Sequence, residues 1–155
     1  GSVYYDVNNE LGAVVPIIDF EKERNIIYVI IDAINAGLLL SCHDISDGGL
    51  ATTISEMVLG GDADGEVGAE INLGFTNLRA DKALFSETSG FVFEVEDEKI
   101  EKLKTLFKFY KINMVELGKT KGKNLIITKN NKKIIDLPIS KLKEAWTTGF
   151  VEALE

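Results

Sequence analysis

From Leu38 to Leu59 the sequence passes through three kinds of segment without a break. A short apolar run, Leu38-Leu39-Leu40-Ser41-Cys42, reads as a buried strand. It enters a polar turn with two glycines, His43-Asp44-Ile45-Ser46-Asp47-Gly48-Gly49. A helix-period segment from Leu50 to Leu59 follows, with Ile54, Met57 and Val58 inward and Gly60-Gly61 as its stop. A strand that feeds a helix through such a turn commits the chain to a mixed architecture.

The remaining segments agree. Asp19 is placed to cap a helix beginning at Phe20, with Glu21 and Glu23 in its first turn, where the helix dipole favours them, and Gly37 as its stop. Ile27, Ile30, Ile31, Ile34 and Leu38 recur at helical spacing there. Val3-Tyr4-Tyr5 and Val14 to Ile18 read as short strand-like runs in an extended segment over residues 1–19. Ala69 to Leu73 alternates like a half-buried strand, Arg79 to Phe85 reads as a short helix, and Phe91 to Val95 as a strand. A long helix opens at Glu96 or Asp97, with Ile100, Leu103, Leu106, Phe107 and Tyr110 on one face. Met114–Leu117, Asn124–Thr128 and Lys133–Leu137 read as strands, the last two joined by a tight turn at Asn130-Asn131. Ser140 is placed to cap a final helix, with Leu142, Trp146, Phe150 and Leu154 near one face. The expected class is α+β or mixed α/β, with one domain over residues 20–155. The expected core includes Ile27, Ile30, Ile34, Val58, Phe93, Leu103, Phe107 and Trp146.

Composition narrows the function. The 155 residues carry 17 Lys and Arg against 25 Asp and Glu, a net charge of −8. Such a field repels nucleic-acid backbones and anionic membrane surfaces. The longest apolar stretch, Ile26 to Ile31, is far short of the ~20 residues that span a bilayer. The single cysteine, Cys42, excludes an intrachain disulfide, and one His with one Cys cannot build a four-ligand zinc site. A reducing, cytoplasmic setting is expected. The chain starts Gly1-Ser2 without Met, which fits either a tag remnant or a piece of a longer protein.

Two clusters carry chemistry. In Asp44 to Gly49, a strand end, two glycines and a helix start can turn backbone amides toward an anion, with Asp44 and Asp47 available to a cation or a hydroxyl. The same residues also fit a plain helix start capped by Ser46 or Asp47. In Ser86-Glu87-Thr88-Ser89, a carboxylate stands among hydroxyls between a helix and a strand, either as a capped turn or as one wall of a ligand pocket. His43 reads as a residue making one hydrogen bond at a strand end, and Cys42 as packing. The acidic stretch Asp62-Ala63-Asp64-Gly65-Glu66 fails the calcium-loop template, which puts Val67 and Leu73 where glycine and a carboxylate are required. Gly118 to Lys123 lacks the phosphate-loop order and reads as a basic turn between strands.

His43-Asp44-Ile45-Ser46-Asp47-Gly48-Gly49-Leu50-Ala51, then Ser55-Glu56-Met57, then Leu84-Phe85-Ser86-Glu87 together resemble one family. They are similar to the carboxy-terminal domain of the large subunit of phosphoribosylformylglycinamidine synthase. That enzyme shares a superfamily with aminoimidazole ribonucleotide synthetase, selenophosphate synthetase, thiamine-monophosphate kinase and a hydrogenase maturation protein. Ile45 stands where the family pattern has Val, and Thr88 where it has Ser. Gly1-Ser2-Val3-Tyr4-Tyr5 resembles the stretch that precedes the domain, and Ile139 to Trp146 the last helix.

The resemblance implies a three-layer α/β/α domain, partly ferredoxin-like. It implies a part of a ligase that uses ATP, Mg2+ and ammonia to turn formylglycinamide ribonucleotide into the amidine in purine synthesis. The implied partners are the rest of the synthetase chain, a glutamine amidotransferase subunit that delivers the ammonia, and a small accessory subunit. It places the family's catalytic His and Mg2+ ligands in other segments, so this part alone is expected to be catalytically silent and to hold no nucleotide tightly. It implies ligand contacts at Asp44, Ser46, Asp47, Gly48, Gly49, Ser86 and Glu87, at an auxiliary rather than a turnover site. Two other readings remain open: the matching domain of another superfamily member, and a non-catalytic ligand-binding or interaction module.

Overall fold

The computed structural model of the chain describes residues 2–12, 15, 17–61 and 67–152. In chain order these form α1 (Val3–Val7), α2 (Phe20–Asn35), β1 (Ser41–Asp44), α3 (Gly49–Leu59), β2 (Ala69–Asn72), α4 (Ala80–Leu84), β3 (Phe91–Glu94), α5 (Ile100–Phe109), β4 (Gly118–Thr120), β5 (Asn124–Lys129), β6 (Lys132–Pro138) and α6 (Ile139–Glu152). Single 3-10 turns stand at Leu73–Phe75 and Asp97–Lys99. The mixed α/β class expected from the sequence holds. The backbone gathers into two compact units, Gly1–Thr53 with Phe85–Val115, and Ile54–Leu84 with Glu116–Glu155. The division falls inside α3.

The first unit is built on α2, α5 and a two-stranded antiparallel sheet of β1 and β3, in which Cys42 pairs Phe93 and Asp44 pairs Phe91. Asp19 caps α2 as its position demands: its Oδ1 accepts from the amides of Glu21 and Lys22, each at 3.1 Å. The core of this unit is Val29, Ile30, Ala33, Leu38, Leu103, Phe107 and Ile112, with Ile26, Cys42 and Phe93 packed against it. The Phe93 and Phe107 rings stand 5.5 Å apart.

The core face of α2 differs from the expected one. Ile26, Val29, Ile30 and Ala33 turn inward, whereas Ile27 is 48% and Ile34 54% exposed. Both strips have helical spacing, and only contact with α5 and the sheet decides between them. The amino-terminal residues also differ: Val3-Tyr4-Tyr5 opens a helix, not a strand. Ser2 Oγ accepts from Tyr5 N, and the Tyr4 ring stacks on Phe85 with centroids 4.7 Å apart. Nearby contacts thus outweigh the β-propensity of the side chains. Of the second expected run, residues 14 and 16 lie outside the described residues.

The second unit holds a four-stranded sheet in the order β4-β2-β5-β6. β2 runs parallel to β5 and antiparallel to β4, and β5 and β6 form an antiparallel hairpin. Ala69 is opposite Leu125 and Ile71 opposite Ile127, and all four are buried on one face. Asn130 and Asn131, at φ 50° and 59°, make the tight turn expected between the last two strands. Residues 114–117 are not a strand; pairing with β2 begins at Gly118, so the first half of the basic stretch read as a turn, Gly118–Thr120, is β4, and only Lys121 to Lys123 connect it to β5. α6 starts at Ile139, directly after Pro138, which leaves Ser140 inside the first turn instead of capping it. Trp146 is 62% exposed, and residues 143–149 are all exposed. Over residues 143–149 the apolar spacing of this helix is therefore left exposed. The acidic stretch 62–66, the side chain of Phe150, and Leu154 lie outside the described residues.

Candidate functional site

All seven residues singled out from the sequence belong to the first unit. The antiparallel register of β1 and β3 brings the two clusters together. Asp44 is opposite Phe91; one step out, Ile45 N donates to Gly90 O at 2.8 Å; three steps further, Gly48 N donates to Glu87 Oε1 at 3.0 Å. One register thus continues past the end of the strands and sets the glycine turn against the Ser86–Ser89 segment.

The turn needs its first glycine. Gly48 has φ 77°, a left-handed conformation that side chains strain, and a Cβ there would stand 2.1 Å from Thr52 Oγ1. Gly49 follows at φ 66°, buried, with its amide donating to Ser46 O at 3.0 Å. Thr53, 2% exposed, sets its hydroxyl 3.1 Å from both the Asp44 and the Gly49 carbonyl oxygens, and so fastens the first turn of α3 to the end of β1. Sequence reasoning missed Thr53. Its only signal is a polar residue inside the apolar strip of α3.

Glu87 joins more than two parts. The same Oε1 accepts from Val3 N, at 2.8 Å, as well as from Gly48 N. The amino-terminal helix is thereby held to the turn, and the Tyr4–Phe85 stack lies one residue along from Val3 and two from Glu87. Ser86 and Thr88 hydroxyls bond each other at 2.8 Å, and Ser89 Oγ donates to Glu23 Oε1 on α2 at 2.8 Å. The part of α1 in this arrangement was not legible from the sequence.

Asp44, Ser46, Asp47 and Ser86 are exposed. Asp44 spends its carbonyl on His43 Nδ1 at 2.7 Å and on Thr53, and its carboxylate stands 3.5 Å from the same ring nitrogen. Burial pushes the Cys42 thiol up from its ordinary pKa, and the charge of Asp44 adds to the effect. A thiolate is therefore disfavoured there, as expected. Among the described residues no three His, Cys, Asp or Glu converge to hold a metal ion. An open depression of about 550 Å3 in this unit lies elsewhere, bordered by Lys104, Lys108, Lys111, Asn113 and Met114, and includes none of the seven residues. With Gly48 N and Gly49 N both spent inside the chain, the turn works as a joint, and its exposed rim of Asp44, Ser46 and Asp47 is what faces solvent.

The family model for the AIR synthase related protein, C-terminal domain, matches residues 4–129. The chain belongs to that family. Among curated relatives of this AIR synthase related domain is the phosphoribosylformylglycinamidine synthase subunit PurL of Methanothrix thermoacetophila, 36% identical over 156 residues, which cover 99% of this chain and 20% of the relative. The subunit of the same name from Caldanaerobacter subterraneus is 38% identical over 132 residues, 84% of this chain and 17% of its own. The chain thus spans about a fifth of the curated relatives it matches. Among solved structures, T. maritima PurL complexed with ATP superposes with a TM-score of 0.70 at 17% identity, over 84% of this chain and 23% of that one. The structure of PurLQS from Thermotoga maritima gives 0.65 at 17% identity, over 83% and 22%. These likenesses carry the fold. No helix among the described residues is long and apolar enough to cross a membrane.

Proposed function

We propose that these residues are the carboxy-terminal domain of a PurL-type synthetase chain, the ATP-dependent ligase that converts formylglycinamide ribonucleotide to formylglycinamidine ribonucleotide in purine biosynthesis. The observation that carries the reading is the match to the Methanothrix PurL subunit along 99% of this chain at 36% identity. Within that enzyme the domain is a scaffold. Its glycine turn is closed from inside by Glu87, and Asp44, Ser46 and Asp47 on the rim, with Ser86 beside it, are the groups left to meet a ligand or a neighbouring domain.

At the glycine turn the two glycine amides are spent inside the chain, and among the described residues no three His, Cys, Asp or Glu converge; both observations support a site for ATP and Mg2+ elsewhere. ATP and Mg2+ are accordingly assigned to the parts of the long chain outside these residues. Partners of the proposed synthetase are those other parts, a glutamine amidotransferase subunit and a small accessory subunit, in the cytoplasm. The test compares two proteins, the 155-residue chain and the full-length chain that contains it, for ADP release dependent on formylglycinamide ribonucleotide and ammonia. The long chain is expected to turn over and the 155 residues to be silent. A long chain without that activity overturns the ligase reading, and turnover by the 155 residues alone overturns the scaffold role.

A further inference from the structure

α2 carries apolar side chains around more than half of its circumference. At 100° per residue, Ile26, Val29, Ile30 and Ala33 fall on one side and enter the core. Ile27, Ile31 and Ile34 fall on the adjoining strip and are 48%, 46% and 54% exposed. Phe20, 81% exposed, continues that strip one heptad before Ile27. From Phe20 to Ile34 the seam is roughly 21 Å long at 1.5 Å per residue. A helix with a solvent-facing side normally carries polar groups there; apolar strips on two adjoining sides belong to a helix packed on both.

We propose that this second strip of α2 is the seat of another part of the same long chain, within the four fifths of a PurL-length protein that lies beyond these residues. The proposal rests on the reading of these residues as part of such a chain. Its occupant follows from area. Four partly exposed apolar side chains offer on the order of 400 Å2, within the range of the largest patch on an ordinary monomer. A stable complex between separate proteins takes about 800 Å2 per partner, roughly twice that. A second copy of the chain, or a free protein, is therefore held poorly by this strip. A covalently tethered segment is not, because its effective concentration reaches the millimolar range without any further contact. The chain spans 20% of its Methanothrix relative, so ample tethered sequence exists in a protein of that length.

The test is a cysteine footprint. In a Cys42→Ser background, Ile27→Cys, Ile31→Cys and Ile34→Cys are alkylated singly, in the full-length chain and in the 155-residue chain. Each site is read by mass spectrometry, with Glu21→Cys on the far side of α2 as control. The seam cysteines are expected to react roughly tenfold more slowly in the long chain, as burial under a stable contact requires, and the control equally in both. Equal rates at the seam overturn the proposal. So does protection already present in the 155 residues: if independent of concentration, the chain covers its own seam, and if concentration-dependent, a second copy does. Hydrogen exchange over Phe20–Asn35 in both unsubstituted chains asks the same question without any substitution. Slower exchange in the long chain supports the proposal and equal exchange overturns it. Turnover of the unsubstituted long chain separates the two readings. An active chain with an open seam keeps the ligase and loses the seat; a protected seam in an inactive chain does the reverse.

Discussion

Glu87 Oε1 accepts from Gly48 N at 3.0 Å, although 39 residues separate the two in sequence, and the same oxygen accepts from Val3 N at 2.8 Å. One carboxylate therefore satisfies two backbone donors on segments that no local structure connects. Removing it leaves both donors to water or to nothing. Glu87→Ala is expected to lower stability by about 1–3 kcal/mol, the usual cost of orphaning a partly buried donor, here Gly48 N, with the exposed Val3 N left to water. Glu87→Gln keeps a carbonyl acceptor and should cost less. Chemical denaturation of the three proteins checks the order, and an alanine variant as stable as the parent would show that the joint carries no weight.

Gly48 sits at φ 77°, and a Cβ there would meet Thr52 Oγ1 at 2.1 Å. Gly48→Ala thus meets two separate obstacles. The left-handed backbone alone costs an L-residue about 1–2 kcal/mol. The clash adds to this and is relieved by trimming Thr52. A double-mutant cycle separates the two: Gly48→Ala should be less damaging in a Thr52→Ala background, with a coupling of about 0.5–2 kcal/mol. Additive losses would place the strain wholly in the backbone.

These positions show what the sequence made legible. Asp19 as a helix cap, Gly37 as its stop and Asn130-Asn131 as a hairpin turn follow from local chemistry, and each stands where that chemistry puts it. The start of β1 near Ser41 rather than Leu38 is set by its partner, since the ladder with β3 begins where Leu40 N donates to Glu94 O and Ser41 stands opposite Glu94. The helix at Val3–Val7 rests on the Tyr4–Phe85 stack and on Glu87, both distant in sequence, while its own side chains favour a strand. Resemblance to a family placed Gly48 and Glu87 in one region; periodicity could not, because the register that joins them belongs to two strands nearly fifty residues apart. Nor could periodicity choose between two equally regular strips on α2.

That choice is measurable. Ile30 is 6% exposed and Phe107 4%, both in the core of the first unit, whereas Ile34 is 54% exposed. Ile30→Ala should cost about 2–5 kcal/mol and Phe107→Ala about 3–5, from lost burial and the cavity left behind. In the 155-residue chain Ile34→Ala should stay within roughly 1 kcal/mol of the parent, since a half-exposed side chain leaves little cavity. Thermal or urea unfolding of the three variants decides. If Ile34→Ala proves as damaging as Ile30→Ala, the inward face of α2 is wrongly assigned.

The Cys42 thiol provides a test that depends on pH. Burial, then the charge of Asp44, raises its pKa above the ordinary 9.0, because both disfavour the thiolate. Alkylation of Cys42 in the folded chain should therefore reach half its limiting rate at a pH above 9.0, and Asp44→Asn should bring that midpoint down without abolishing the shift, burial being the larger cause. The sign for stability follows from the same inequality. Below the unfolded value the thiol is protonated in both states and nothing is lost. Between the unfolded and the folded values the unfolded chain releases its proton while the folded chain keeps it, so stability falls as the pH rises through that window. Replacing Cys42 by Ala removes this contribution and should flatten the alkaline limb of a plot of stability against pH. A folded-state alkylation midpoint at or below 9.0 would instead mean that Cys42 is solvated and that neither the packing of β1 on the core nor the charge of Asp44 reaches its sulfur.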